Sequence, residues 1–589
     1  MQNIGQYETV LVLDGDMVPS LTIARSLTQL KVDVVIASHL PKPLANYSRT
    51  VKQCLLYPDP LSRTDDFIAW CRTQIALNVY RLIIPVTERT LVPLMTLSNA
   101  ADRERIAMAP PTALAVALFK SRTLELAERL QIPIPKSQLI TTEHAVITAA
   151  NLGLKLPVVI KPGCSIGEHA FTKKQLQVSY AFDVETVNVK LQQYLPYGPV
   201  LLQEYMIGQG IGIELIANHG EIRYAFQHLR LHEVPLTGGG SSLRMSVAIE
   251  PCLLATAQKL MKALHWHGVA MVEFKWDPQT QTFALMEING RFWGSLPLAV
   301  AAGADFPAML YELLTTGIIT TTRPAKIGVM CRKLDRDLYW YEQVLRHDAP
   351  SELVHFPSRW QLLRDSLLVF SPRHYFDVQS WRDPLPGIID IGRIISDYYY
   401  RALQLWHHRY WLFQQRRAWR SGQIKALLQN AKQVLFVCYG NINRSAFAER
   451  YVATVAPKTH LIIRSAGFHH ETGRAADPMM INVARQVGVD MTSWSSVCIN
   501  SDLVTASDVI FVMEYCHYKQ LIAALPRAKY KTFLLGMAGI KDSLQGAVEI
   551  ADPFGQQRCQ YENCVQSLVL NVNYVLDSIK TTQLHRDKQ

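Results

Sequence analysis

The chain has 589 residues, 49% hydrophobic and 19% charged, a balance that excludes long disorder and predicts three or four domains at roughly 100–200 residues each. A formal charge of +11 suits an anionic partner such as a phosphate, a nucleotide or a membrane surface without choosing among them. Ten cysteines with no CxxC pair and no dense spacing exclude a disulfide scaffold and a zinc knuckle.

Strands expected at Thr9–Leu13, Val32–Ala37 and Arg81–Val86 alternate with helical stretches, which predicts a parallel α/β layer. The first strand ends in Asp14-Gly15-Asp16 and the third runs into Thr87-Glu88. The Gly15 turn lacks the GxGxxG spacing, so a dinucleotide site is not expected. The opening segment has no basic stretch followed by an apolar run and a small-residue cleavage site, which argues against a secretory signal. No run approaches about 18 uninterrupted apolar residues, so no membrane span is expected. A reducing cytoplasm is the expected location, and it keeps a catalytic thiol reduced.

From Lys120 the pattern changes to a helix, Ser121–Leu130, followed by a strand at Pro157–Lys161. Strands then follow around Val200–Tyr205, Gly210–Ala217 and Ile222–Leu229, with a hairpin joining Val269–Trp276 to Phe283–Ile288. This block reads as α+β with mainly antiparallel strands. Lys161 ends its strand where an ammonium neutralises nucleotide phosphates, and Gly163 and Gly167 leave the backbone free to approach them. Gln203-Glu204-Tyr205 ends another strand and suits a base and ribose. Glu273 and Glu287, with Asn289, offer oxygen ligands on neighbouring strands for Mg²⁺, and Arg291 is placed to clamp a phosphoryl group or a carboxylate. His228-Leu-Arg-Leu-His-Glu and the Thr237-Gly-Gly-Gly-Ser-Ser run read either as the substrate side of that cleft or as a flexible hairpin tip.

In this order the residues resemble the ATP-grasp family of carboxylate–amine or carboxylate–thiol ligases, preceded by the α/β domain such enzymes carry. Glu287, Asn289 and Arg291, as E-x-N-x-R, are the most specific match. The resemblance implies Glu273, Glu287 and Asn289 as Mg²⁺ ligands. It implies Lys120, Lys161, Gln203, Glu204, Tyr205 and Arg291 around ATP, and an acyl phosphate made from ATP and a carboxylate, which an amine attacks.

Residues 331–430 carry no catalytic signature. Between Arg401 and Lys425 lie six Arg or Lys and no acid, interleaved with Trp406, Trp411, Phe413 and Trp419. A linker helix packing its aromatic face on a neighbouring domain and an interfacial helix on anionic lipid both fit. No base-reading motif accompanies the charge, so nucleic acid is not expected as a partner.

After Lys432 a strand at Val434–Val437 delivers Cys438 to a loop that closes at Arg444, and a helix Ser445–Val455 follows. Such a turn aims backbone N–H groups inward, the helix N-terminus adds its positive end, and Arg444 offers a planar fork to two phosphate oxygens. This setting favours a thiolate at Cys438, competent to attack phosphorus and form a phosphocysteine. Tyr439, Gly440, Asn441, Ile442, Asn443 and Ser445 complete the loop; Ser445 is placed to donate to the sulfur and Asn441 to tie the loop to itself. A leaving oxygen needs a proton, and Asp552, held extended before a proline, is the candidate acid, with Phe554 flanking the substrate.

Cys438-Tyr-Gly-Asn-Ile-Asn-Arg-Ser, Arg464-Ser-Ala-Gly467, Ala476-Asp-Pro478, Asp508 through Met513 and Asp552-Pro-Phe554 resemble the low-molecular-weight protein tyrosine phosphatases. The resemblance implies Cys438 as nucleophile, Arg444 as phosphate ligand and Asp552 as general acid. Two positions depart from it. Asn443 stands where many members have a second loop cysteine, and Gly555 stands where a second aromatic is common. The expected architecture is an α/β multidomain chain. It comprises a pre-ATP-grasp α/β domain (1–112), an ATP-grasp α+β domain (113–330), a mostly helical basic and aromatic linker (331–430) and a doubly wound parallel-sheet phosphatase domain (431–589). The expected activity is bifunctional, a phosphatase acting on a phosphorylated protein or small molecule and an ATP- and Mg²⁺-dependent ligase joining a carboxylate to an amine. A phosphatase regulated by a non-catalytic ATP-binding domain is the alternative.

Overall fold

A computed structural model describes residues 8–97, 99–141, 147–148, 151–162, 178–538 and 548–580. The chain divides into two units, Met1–Ser396 and Asp397–Gln589.

The first unit opens with a four-stranded parallel sheet in the order Gln53–Leu56, Asp33–Ser38, Thr9–Val12, Tyr80–Ile84. Its two central strands are buried on both faces. Val10, Val12, Val34 and Ile36 enter one core, while Leu11, Leu13, Val35 and Ala37 enter another. Burial on both faces is why these strands read as unbroken apolar runs rather than alternating ones. The edge strand Gln53–Leu56 is only half-buried and has no such run, so the sequence does not announce it. Past the strand ends, fully buried Asp14 accepts hydrogen bonds from the backbone of Thr87 (2.8 Å), from Thr90 Oγ1 (2.6 Å) and from Arg89 Nη2 (2.8 Å). One carboxylate thereby ties together the loops after the first and fourth strands.

Two layers follow in the same unit, antiparallel throughout except where Met330–Arg332 and His374–Phe376 pair in parallel at one edge. The smaller has the order Ser137–Ile140, Val200–Glu204, Val158–Pro162, Ser179–Ala181. The larger has seven strands in the order Thr282–Asn289, Gly268–Asp277, Gln209–Asn218, Glu221–Val234, Gly240–Val247, Met330–Arg332, His374–Phe376. The expected hairpin is present, and its register sets Glu273 opposite Glu287. The glycine run proves to be a turn feeding a strand. Gly239 closes it so tightly that a Cβ would lie 2.6 Å from the Val234 carbonyl oxygen, and Gly240 begins the next strand. The region expected as a mostly helical connector is mostly helical, but it also contributes two short strands, since Met330–Arg332 and His374–Phe376 extend the large sheet. Three-residue strands are too short to leave a period in the sequence.

The second unit holds a parallel sheet in the order Ile462–Gly467, Gln433–Cys438, Val509–Val512, Thr532–Leu534. Helices cover both faces. Val434, Phe436 and Cys438 enter one core, and Leu435 and Val437 enter the other. Strand order reverses on either side of Gln433–Cys438, so the loop after it sits at a topological switch point, where open α/β sheets place their sites. The helix Pro384–Arg420 spans the boundary between the units. Its Trp411 is buried against the second unit's sheet, and its Gln415 side-chain oxygen accepts from the Leu534 backbone (3.0 Å).

Candidate active sites

In the second unit the strand Gln433–Cys438 ends at the sulfur, and the helix Arg444–Val455 begins after five intervening residues. Cys438 is 2% exposed. Its Sγ accepts the Asn441 backbone N–H (3.2 Å) and lies 2.9 Å from Ser445 Oγ. Asn441 is the loop's fastener. Its side-chain amide donates to Ser445 Oγ (2.9 Å) and Ser465 Oγ (2.8 Å), and its Oδ1 accepts from the Val497 backbone (2.7 Å). Its own carbonyl accepts from Trp494 Nε1 (2.7 Å). Asn441 adopts a left-handed φ of 50°, a conformation Asn tolerates better than most residues. Gly467, on the adjacent strand, leaves the loop its room. A Cβ there would lie 2.6 Å from the Tyr439 carbonyl oxygen and 2.8 Å from the Asn441 nitrogen.

Arg444 is fully buried and held on two edges. Nη1 donates to Glu514 Oε2 (2.7 Å) and to the Ile550 carbonyl (2.8 Å), and Nη2 donates to Asp552 Oδ2 (2.7 Å). Burial by itself disfavours the cation, but Cys438, Asp552 and Glu514 outweigh it and hold the guanidinium above its ordinary pKa. Asp552 is therefore beside the arginine, in a loop on the far side of the motif in sequence. Tyr439 and Phe554 are exposed rims, while Ile442, Asn443 and Ser445 are buried and Gly440 half-buried. Asn443 carries its whole side-chain amide buried without a hydrogen-bond partner among the described residues, at the position where the resemblance leads one to expect a thiol.

Glu514 escaped the sequence reading. It directly follows Met513, at the carboxyl end of the strand Val509–Val512, which is the edge where parallel sheets put functional groups. His517, one helical turn on, has Nε2 3.6 Å from Glu514 Oε2. Burial and the Arg444 charge push its pKa down to about 3.

In the first unit a cleft of about 710 Å³ opens between the two antiparallel layers. Lys120, Lys161, Gln203, Glu204, Tyr205, Glu273, Glu287, Asn289 and Arg291 all line it. Gly163 and Gly167 lie outside the described residues. Lys161 Nζ donates to Gln203 Oε1 (2.6 Å). Burial, helped by the Lys120 charge, pushes the Lys161 ammonium down to about 8. Glu204 and Tyr205 are partly committed elsewhere: Glu204 accepts from the Lys155 backbone (2.9 Å) and Tyr205 donates to the Leu353 carbonyl (2.9 Å). Arg291 Nη2 donates to Glu88 Oε1 (3.3 Å), at the start of the helix Glu88–Leu94 that follows the parallel sheet's last strand in the chain.

The two paired carboxylates converge. Asn289 Nδ2 donates to Glu273 Oε1 (3.1 Å) and Glu287 Oε1 (3.2 Å), and Arg230 pairs with Glu273. Burial raises the Glu273 pKa, with Glu287 adding to it against the pull of Arg230. Burial also opposes ionisation of Glu287, but Lys120 and Lys161 outweigh it and hold that carboxyl below its usual range. The carboxylates of Glu273 and Glu287 offer anionic oxygens and Asn289 a neutral amide oxygen, a donor set that fits a hard divalent cation such as Mg²⁺. Arg230 belongs to the His228–Glu233 stretch read as a candidate substrate side of this cleft and does line it, but its pairing with Glu273 was not foreseen.

Residues 433–588 match the family model described as low molecular weight phosphotyrosine protein phosphatase, and residues 197–335 match the model described as ATP-grasp in the biosynthetic pathway with Ter operon. The low molecular weight protein-tyrosine-phosphatase Ptp of Acinetobacter johnsonii is 36% identical over 105 residues, 18% of this chain and 72% of its own length. The probable low molecular weight protein-tyrosine-phosphatase AmsI of Erwinia amylovora is 33% identical over 129 residues, 22% of this chain and 84% of its own. Among solved structures, an L-amino acid ligase from Bacillus licheniformis aligns over 53% of this chain and 75% of its own at 13% identity, with a TM-score of 0.43. Through residues 433–588 the chain belongs to the low-molecular-weight protein-tyrosine-phosphatase family, and it carries an ATP-grasp domain N-terminal to that region in sequence.

Proposed function

We propose that the second unit hydrolyses phosphomonoesters, aryl phosphates among them, through Cys438. The observation that carries the reading is a single loop that points a backbone N–H and a serine hydroxyl at one sulfur and ends in a buried, doubly anchored arginine. The Cys438 thiolate attacks phosphorus and the ester P–O bond breaks. Asp552, protonated for this step, gives its proton to the leaving oxygen. Water then attacks the phosphocysteine, Asp552 takes the proton back, and the sulfur leaves as a thiolate stabilised by Ser445 Oγ and the Asn441 N–H. The relatives are named for phosphotyrosine in proteins, and that is the substrate class proposed here. Turnover of an aryl phosphate by wild type, with none by Cys438→Ser, is the expected result. Equal rates would remove the assignment.

The first unit is proposed as an ATP-dependent carboxylate–amine ligase. Lys120 and Lys161 would face the nucleotide phosphates, and Glu273, Glu287 and Asn289 would hold Mg²⁺, which supplies charge neutralisation at the phosphates. Lys161 and Arg291 orient the phosphoryl group and the acid so that an acyl phosphate forms and an amine displaces phosphate from it. ATP consumption that depends on an added carboxylate, and that disappears in Glu287→Ala, is expected. A second reading, an ATP sensor without turnover that regulates the phosphatase, draws on Arg230, which occupies Glu273 and competes with a cation for it. Calorimetric ATP binding with no turnover on any carboxylate would favour it.

A further inference from the structure

The helix Pro384–Arg420 has two unlike faces along its second-unit half. At about 100° per residue, Trp411, Gln415 and Ala418 fall on one side, and all three are buried. Tyr398, Tyr399, Leu405, Trp406, Tyr410 and Phe413 fall within an arc of roughly 140° on the opposite side. All six are exposed, Trp406 at 59% and Phe413 at 61%. Upstream, Ile391 and Ile395 continue the same arc and are also exposed. A packed helix normally turns its apolar stripe inward and its charges outward. This one buries one stripe and leaves a second, larger in aromatic area, facing solvent.

The charge around the exposed stripe identifies what covers it. Arg401, Arg409 and Arg417 are exposed in or beside the arc, and no acidic residue occurs between Asp397 and Glu449. A second copy of the helix would set arginine against arginine, with none of the complementary acids that flank a coiled-coil seam. An anionic bilayer reverses the sign of that interaction. Tyrosine and tryptophan favour the boundary between headgroups and acyl chains, and arginine stems extend to the phosphates while their apolar stems stay on the stripe. No single helix among the described residues is long and apolar enough to cross a membrane, so the contact is a surface one.

We propose that this face of the helix lies in the interface of an anionic membrane and holds the enzyme at the bilayer surface. The test is flotation of the full chain with vesicles of phosphatidylcholine alone and of phosphatidylcholine mixed with phosphatidylglycerol. Binding is expected to the mixed vesicles only and to weaken with salt. The double substitution Arg409→Ala and Arg417→Ala should weaken it about thirtyfold at roughly 1 kcal/mol per charge. Trp406→Glu with Phe413→Glu should abolish it while leaving the circular dichroism melt and aryl phosphate turnover unchanged, since neither residue touches the core or the loop. Failure to float with the mixed vesicles would overturn the proposal, as would equal flotation of the Glu variant. It would equally fall if the wild type self-associates without lipid and the Glu variant is monomeric, because the stripe would then belong to a second copy.

Discussion

Under the proposed function, Arg444 and Lys161 meet phosphate in different ways. Arg444 is a rigid fork fixed by Glu514 and the Ile550 carbonyl, so Arg444→Lys keeps a charge but loses the planar geometry. The expected loss is about 10²–10³-fold in kcat on an aryl phosphate, the scale of one missing oxyanion donor. Lys161 is a point charge whose pKa of about 8 lies near working pH. As pH rises through that value the ammonium loses its proton and its attraction for phosphate. ATP affinity measured by calorimetry should therefore fall above about pH 8, and Lys161→Met should flatten the profile. His517 gives a stability prediction of opposite direction. It stays neutral in the fold down to about pH 3, whereas the unfolded chain takes up a proton near the ordinary 6.5. Between those values the unfolded state binds more protons, so stability falls as pH falls through the window. Thermal melts of His517→Asn should lose less between pH 6.5 and 3 than wild type.

At the scale of elements, the catalytic loop is a strand–turn–helix whose shape depends on a neighbouring strand. Gly467→Ala would drive a methyl group into the Tyr439 carbonyl and the Asn441 nitrogen. A stability loss of about 1–3 kcal/mol is expected from the forced shift. Turnover should fall further than a comparable core substitution would cause, and a melt paired with kinetics separates the two effects. What the sequence exposed at this scale follows physical lines. Strands buried on both faces, such as Thr9–Val12 and Gln433–Cys438, were legible as apolar runs. The half-buried edge strand Gln53–Leu56 and the three-residue strands Met330–Arg332 and His374–Phe376 were not, because they lack a run long enough to show a period. Cys438 and Arg444 were readable as candidates because strand, loop and helix fix them locally, whereas Asp552, 108 residues beyond Arg444, was read from its Asp-Pro pair and the family resemblance. Glu514 and the Arg230–Glu273 pairing were not readable, because each depends on a partner brought near by the sheet, Arg444 in one case and Glu273 in the other.

For the whole molecule, the two candidate sites occupy separate units with separate cores. Under the bifunctional reading, Cys438→Ser should leave carboxylate-dependent ATP turnover within twofold of wild type, roughly the spread expected for independent sites. Glu287→Ala should likewise leave aryl phosphate hydrolysis unchanged. Under the sensor reading, saturating ATP should change the phosphatase kcat in wild type and not in Lys161→Met. Side-by-side assays of the two variants distinguish the cases. The anchoring of Arg444 has a final consequence for the order of events. One edge of its guanidinium is latched to Asp552 while the other is bolted to Glu514 and the chain itself. Under the proposed function, an arriving phosphate would meet Nη2 and the Nε that has no partner among the described residues, and taking Nη2 would free the aspartate toward the departing oxygen. On that reading the substrate is its own key, and water entering alone would find the acid still locked away.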